Sequence, residues 1–405
     1  MNVVSVSWGD HLTFGEGDGR LDTPDAVARR MHAWRSELGA GALHWRMMRT
    51  RIPGRFYAAP GYRHPSQAAA ERIAWDDFEV MPRLARDAGL EPWLYVSVFD
   101  EGFPLAPPAE REKSHHNAMH GQHVAWQSEL SREHPEWTAI DRSGRVRQWG
   151  VVSLAYPEAR HAFVERWTRL LDGTGFAGLF VCLRSQSRPA EYADQFGFNE
   201  PVRSDFRARF DRDILRDDFD LQAWRDLLGS YLSALLAELR EALHASGRRL
   251  GVGAPRGDVL GPPLGNATLA WRDWLSRKTI DMLVVDQNSS QCPSMWHQLW
   301  PMHRGSGYMQ DYLTGRNLPP LTEYGEIACA AGARLKVARQ WAERNDEAER
   351  ELLATPGVAG LVFSSFRHDN PGAVARGNWT ASPEGTAAWS VFEREETGRE
   401  HGQRP

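Results

Sequence analysis

The sequence predicts a single-domain α/β fold, a (β/α)₈ barrel, and three observations predict it. Eight short hydrophobic runs recur along the 405 residues, and amphipathic helical patterns separate them. The connections that follow several runs are long, while those that lead back into the next run are short. In a barrel this asymmetry marks the site face, because strand-to-helix loops build it and helix-to-strand returns only turn the chain.

The elements follow in order. VVSVS (3–7) is the first strand. TPDAVARRMHAWRSEL (23–38) is the first helix, with Thr23 as a cap for free N–H groups and Pro24 pre-set for the first turn. LHWRM (43–47) is the second strand, and the short return DAGLEP (87–92) leads into the third, PWLYVSVF (92–99). AGLFVCL (177–183) is the fourth. LQAWRDLLGSYLSALLAELREAL (221–243) carries apolar residues at helical spacing, and ASGRR (245–249) returns it to the fifth strand, RLGVGA (249–254). DMLVVD (281–286), RLKVAR (334–339) and AGLVFSSF (359–366) complete the eight. Parallel neighbours need such helical crossovers. The long segments follow strands 3, 4 and 6, at 101–156, 184–220 and 287–320. One barrel over 1–397 is expected, with GREHGQRP (398–405) as a disordered tail.

The composition narrows the class. With 48 basic against 53 acidic residues, the charge balance excludes a wholesale nucleic-acid or polybasic membrane binder. No apolar run reaches the roughly 18 residues needed to span a bilayer, and MNVVSVSW lacks the basic region and cleavage site of a secretory signal. Cys182, Cys292 and Cys329 are widely spaced, which suits a reducing compartment. A cytoplasmic protein is therefore expected, with oligomeric state open and Cys182 as a small core residue.

HPEWTAIDRSGRVRQW (134–149), LAYPEARHAFVERWTRLL (154–171) and DQFGFNEPV (194–202) together resemble the family-10-like glycosyl hydrolases, a group of TIM-barrel proteins. The resemblance implies a sugar-processing barrel with its site at the C-terminal ends of the strands. Many members of that group end the fourth strand in an acid; here Leu183-Arg184-Ser185 stand there. Within GFNEP (197–201), Asn-Glu-Pro also resembles the acid/base signature of several retaining glycosidase clans. Glu200 falls well inside a loop rather than at a strand tip, so the match reads as coincidental.

The strand tips carry arginines: Arg46, Arg184, Arg256, Arg339 and Arg367. A ring of guanidinium forks favours an anionic ligand. The alternative is that they pair with the acids Asp258, Asp286 and Asp369 and hold the site together. Glycoside hydrolysis needs one protonated and one ionised carboxyl. Asp258 and Asp286 follow adjacent strands, so they form the candidate pair, with Asp100 as a third. Partial burial would favour the acid form of Asp286, and Arg256 would keep Asp258 ionised. Gln287, Asn288, Trp296, His297 and Trp300 are candidates to contact a sugar, because aromatic faces stack on sugar rings and amides satisfy hydroxyls. His116, His120 and His123 have metal-like spacing but no accompanying glutamate or cysteine pair, so neither metal nor cofactor is expected. The expected activity is hydrolysis of an oligosaccharide, with a uronate or sulfate group as the anion the arginines would hold. A lyase acting beside a uronate carboxylate, and a sugar-binding barrel without catalysis, are the alternatives.

Overall fold

The computed structural model describes residues 1–46, 73–101, 127–185, 192, 194–261, 265–286, 319–339 and 345–375. Its strands are, in chain order, β1 (Asn2–Ser7), β2 (Ala40–Arg46), β3 (Glu91–Phe99), β4 (Thr138–Ile140), β5 (Arg147–Val152), β6 (Gly178–Ser185), β7 (Arg249–Gly253), β8 (Val259–Gly261), β9 (Gly265–Thr268), β10 (Met282–Val285), β11 (Arg334–Ala338) and β12 (Val358–Ser364). Eight of them close a parallel barrel in the order β1, β2, β3, β6, β7, β10, β11, β12. The closure is direct: Val3 on β1 stands in register with Ala42 on β2 and Val362 on β12. Each of the eight expected runs coincides with one barrel strand, and the fold is a (β/α)₈ barrel.

Alternation along each strand divides the core into two. One set, including Val3, Ala42, Trp93, Tyr95, Phe180, Cys182, Met282 and Val362, fills the barrel interior. Residues one step away, such as Val4, Leu43, Leu94 and Val181, pack outward with the helices. Trp93 fits inside because β6 and β7 give it room. A Cβ on Gly178 would lie 2.6 Å from the Trp93 ring, and one on Gly251 would lie 2.7 Å from the Met282 methyl. Cys182 is a buried thiol of this interior, in no disulfide.

The helices start where their sequences allow. Thr23 accepts the Ala26 N–H at 3.1 Å to cap the Pro24–Leu38 helix, which ends on Gly39 in the left-handed region, φ 59°. Asp220 accepts N–H groups of Gln222 and Ala223 and opens Leu221–Ala245, two residues longer than the sequence pattern suggests. No helix among the described residues is long and apolar enough to cross a membrane.

Two hairpins outside the barrel were not anticipated. The antiparallel pair β4–β5 lies within the long segment after β3, and β8–β9 follows β7. Asp141 builds the first turn, accepting the N–H groups of Arg145 and Val146 and the Ser143 hydroxyl. The GFNEP stretch serves this hairpin. Asn199 donates to Thr138 O at 2.9 Å and accepts from the Ile140 N–H at 3.3 Å, while Glu200 opens the exposed face of the Glu200–Phe210 helix beside Arg203.

Candidate active site

The C-terminal ends of the barrel strands form a mouth. β2 ends on Arg46, β3 is followed by Asp100 and Glu101, Arg184 lies on β6, and Asp286 follows β10. Arg339 follows β11 and Arg367 lies in the Ser365–Asp369 helix after β12.

Arg46 and Tyr95 are register partners on β2 and β3, so their side chains rise from the barrel side by side. The Arg46 guanidinium lies 5.6 Å from the Tyr95 ring centroid, and its Nη2 donates to Asp100 Oδ2 at 3.1 Å. Tyr95 in turn meets the Phe180 ring edge-on, and His44 stacks on Phe180 at 4.0 Å. A continuous stack thus runs from the barrel centre up to a buried carboxylate at the mouth. The neighbouring Glu101 turns to another partner. Both its oxygens accept from Arg166 on the Pro157–Leu171 helix, at 2.9 and 2.6 Å, and its backbone joins Gly150 and Ser128. Glu101 was missed in the sequence, where its partner stands 65 positions away. A cavity of about 270 Å³ lies beside this helix, lined by Leu130, Glu133, Ala162, Arg166 and Leu170. It lies between the outer Pro157–Leu171 and Glu129–Glu133 helices, and none of the mouth acids lines it.

The second carboxylate of the mouth is Asp286. Arg256 holds it in a fork, Nε to Oδ1 at 3.0 Å and Nη2 to Oδ2 at 2.5 Å. The Arg256 backbone is fixed on both sides, by Ala254 N–H on Val284 O and Gly257 N–H on the Tyr324 hydroxyl, each at 2.9 Å. Asp286 itself sits at φ 61°, a left-handed conformation in which an aspartate is one of the better tolerated residues.

Arg256 therefore serves Asp286, and not Asp258 as the sequence spacing suggests. Asp258 instead accepts from Trp271 Nε1 at 2.8 Å and Arg272 at 2.6 Å, and Arg272 continues to Glu323 at 2.7 Å. Trp271 stacks on Tyr324 at 3.7 Å. Asp258 is thereby engaged with the Trp271–Ser276 and Leu321–Ala331 helices, a different set of partners from those of Asp286. Asp369 is held by Arg30 and by Trp34 Nε1, joining the last described strand–helix unit to the Pro24–Leu38 helix. Beside it His11 is fully buried, with Nδ1 2.6 Å from Gly19 O and Nε2 2.7 Å from the Ser365 hydroxyl. Burial lowers the pKa of His11 and favours the neutral ring. The Arg339 N–H donates to Val362 O at 2.7 Å, and its buried Nε has no hydrogen-bond partner among the described residues.

Gln287, Asn288, Trp296, His297 and Trp300 lie outside the described residues, as do His116, His120, His123, Cys292 and the tail at 398–405. Arg184 is described by its backbone on β6. Among the described residues no group of three or more His, Cys, Asp or Glu is placed to hold a metal ion.

No family model matches the chain, and no curated protein matches it. Solved structures with a similar course include a β-galactosidase from the psychrophilic Marinomonas ef1, at 12% identity and a TM-score of 0.45, over 90% of this chain and 54% of that one. The glycoside hydrolase domain of PgaB (BpsB) from Bordetella bronchiseptica gives 12% identity and a TM-score of 0.47, over 93% and 97% of the two chains. The GH36 α-galactosidase AgaB from Geobacillus stearothermophilus gives 9% and 0.44, over 93% and 41%. This chain thus spans about half the length of the Marinomonas enzyme. The barrel assignment rests on the strand order of the chain itself.

Proposed function

We propose that the chain is a glycoside hydrolase working at the barrel mouth on an oligosaccharide that bears a uronate or sulfate group. The observation that supports this best is the pair of mouth carboxylates. Asp100 and Asp286 follow barrel strands three apart in an eight-strand ring, and each is paired with an arginine from the preceding barrel strand's end, Arg46 and Arg256. Hydrolysis of a glycosidic bond uses two carboxyl groups on either side of it, and guanidinium forks beside them suit an anionic sugar. In this reading Asp100 and Asp286 flank the bond, and Asp258 orders Trp271 and Arg272 at the rim. Arg184, Arg339 and Arg367 add positive charge, while Gln287, Asn288, Trp296, His297 and Trp300 contact the sugar. The resemblance of residues 134–149, 154–171 and 194–202 to family-10-like glycosyl hydrolases points the same way.

Product analysis tests the proposal. Uronate-bearing, sulfated and neutral oligosaccharides are incubated with the protein in one buffer. A hydrolase yields new reducing ends; a lyase yields an unsaturated, ultraviolet-absorbing end; a binding barrel yields neither. Absence of new reducing ends across anionic and neutral panels would refute the proposal.

A further inference from the structure

The described carboxylates of the mouth are held differently. The Asp100 carboxyl is 6% exposed beside an Arg46 that is 23% exposed, and Glu101 is 2% exposed beside Arg166 at 12%, so both carboxylates are buried in the protein. Arg256 and Asp286 remain 25% and 30% exposed. Their contact is a planar, two-pronged fork of the kind an arginine makes with any free carboxylate. The chain on either side of Arg256 is held, at Ala254 by the β10 carbonyl of Val284 and at Gly257 by the Tyr324 hydroxyl. Asp286 stands just past the end of β10, in the left-handed conformation that an aspartate tolerates.

We propose that Arg256 is a carboxylate-binding site whose place is held in this structure by the chain's own Asp286, and that the carboxylate of a uronate displaces it. The guanidinium stays where its backbone is fixed, and the Asp286 carboxyl moves aside as the incoming carboxylate takes over the fork. A partly exposed ion pair contributes little to stability, so a ligand that makes further contacts can exchange with it. Exchange also selects. A neutral sugar leaves Asp286 clamped, whereas a uronate occupies Arg256 and leaves the freed Asp286 carboxyl beside the bound sugar. A planar carboxylate matches the fork that Asp286 now fills; a tetrahedral sulfate matches it less well. The choice of a uronate rests on the proposed sugar-processing role, whereas the carboxylate site rests on the geometry alone.

The test is calorimetric titration at low salt with D-glucuronate, D-glucose and sulfate as probes. Because the internal carboxylate competes for the fork, Asp286→Asn is expected to bind glucuronate about tenfold more tightly than the wild type. Glucose should show no change, sulfate a smaller gain, and the double variant Arg256→Gln with Asp286→Asn should lose the gain. Arg256→Lys, which keeps the charge and loses the fork, should bind glucuronate more weakly than the wild type and gives a second reading if Asp286→Asn fails to fold. Equal glucuronate affinity in wild type and Asp286→Asn, no glucuronate binding to Asp286→Asn, a gain that survives in the double variant, or an equal gain for sulfate would each overturn the proposal. Turnover separates it from the hydrolase reading. The expected binding pattern without cleavage of any oligosaccharide would remove the hydrolase and keep the site; cleavage without the pattern would do the reverse.

Discussion

Replacing His44 with phenylalanine should stabilise this protein, and the margin should grow as the pH falls. His44 is fully buried inside the barrel, stacked on Phe180 at 4.0 Å, and among the described residues neither ring nitrogen has a hydrogen-bond partner. Burial, with a smaller contribution from the positive charge of Lys336, lowers its pKa from 6.5 to about 3. An unsatisfied buried polar group costs about 1–3 kcal/mol, so at neutral pH His44→Phe is expected to gain roughly that amount, reduced by any strain from the larger ring. The pH term has a definite sign. A folded-state pKa below that of the unfolded chain means that the unfolded state binds the proton first. Stability is therefore whole above pH 6.5 and is lost as pH falls from 6.5 toward about 3, by up to ~5 kcal/mol for a drop of this size. Urea unfolding of wild type, His44→Phe and His44→Leu at intervals from pH 8 to pH 4 measures both effects. The variants should lose less stability than the wild type on the acid side. If both variants are destabilised at neutral pH and the difference from wild type is the same at pH 8 and pH 4, the ring has a partner in solution and the reasoning fails.

Three further outcomes are expected. Glu101→Gln leaves the Arg166 guanidinium without its buried counter-charge and should destabilise by about 3–5 kcal/mol in urea unfolding, with Glu101→Gln/Arg166→Met less affected than the sum of the single changes. Asn199→Ala frees the β4–β5 hairpin from the Glu200–Phe210 helix and should cost about 1–3 kcal/mol, whereas Glu200→Gln, on an exposed side chain, should change stability by less than about 0.5 kcal/mol and leave any turnover intact. On an oligosaccharide that the wild type cleaves, Asp100→Asn and Asp286→Asn should each lower kcat by several powers of ten, and Asp258→Asn by less, because Asp258 is engaged with Trp271 and Arg272. Near-normal rates in Asp100→Asn and Asp286→Asn would remove both from the catalytic role.

The barrel was legible because each strand is an apolar run bounded by polar turns, and each return to the next strand is short. Hydrophobic burial enforces that pattern, so it survives in one dimension. The pairing of charges does not. Arg256 and Asp258 are two positions apart, and proximity along the chain suggests that they interact. Gly257 between them takes φ 125°, a conformation open to glycine, and the chain turns there. Arg256 finds a carboxylate 30 positions on, and Asp258 finds Trp271 and Arg272. Glu101 was overlooked for a related reason: consecutive acids after a strand look alike in sequence, and only the direction of each side chain separates the mouth carboxylate from the one bound to Arg166. The Asp141 turn shows the converse. Its DRSG stretch falls within a segment that resembles a family signature, yet an aspartate whose oxygens gather the next N–H groups is a turn in its own right.

The same distinction bears on arginine-rich mouths in general. A count of guanidinium groups at strand tips says only that positive charge is concentrated there. Whether that charge meets a ligand depends on which carboxylates of the chain already occupy it, and how deeply. Here the two arginines are similarly exposed, but the Asp100 carboxyl is buried beside Arg46 while the Asp286 carboxyl stays partly exposed on Arg256. A buried pair is expensive to separate, because either ion alone would face a low-dielectric surrounding; a partly exposed pair is not. Of the two pairs in the mouth, the one at Arg256 is therefore where an incoming anion can compete, and the one at Arg46 is where a carboxylate is held in fixed geometry. In the proposed reading, the group that stays and the group that exchanges follow barrel strands three apart in the ring of eight.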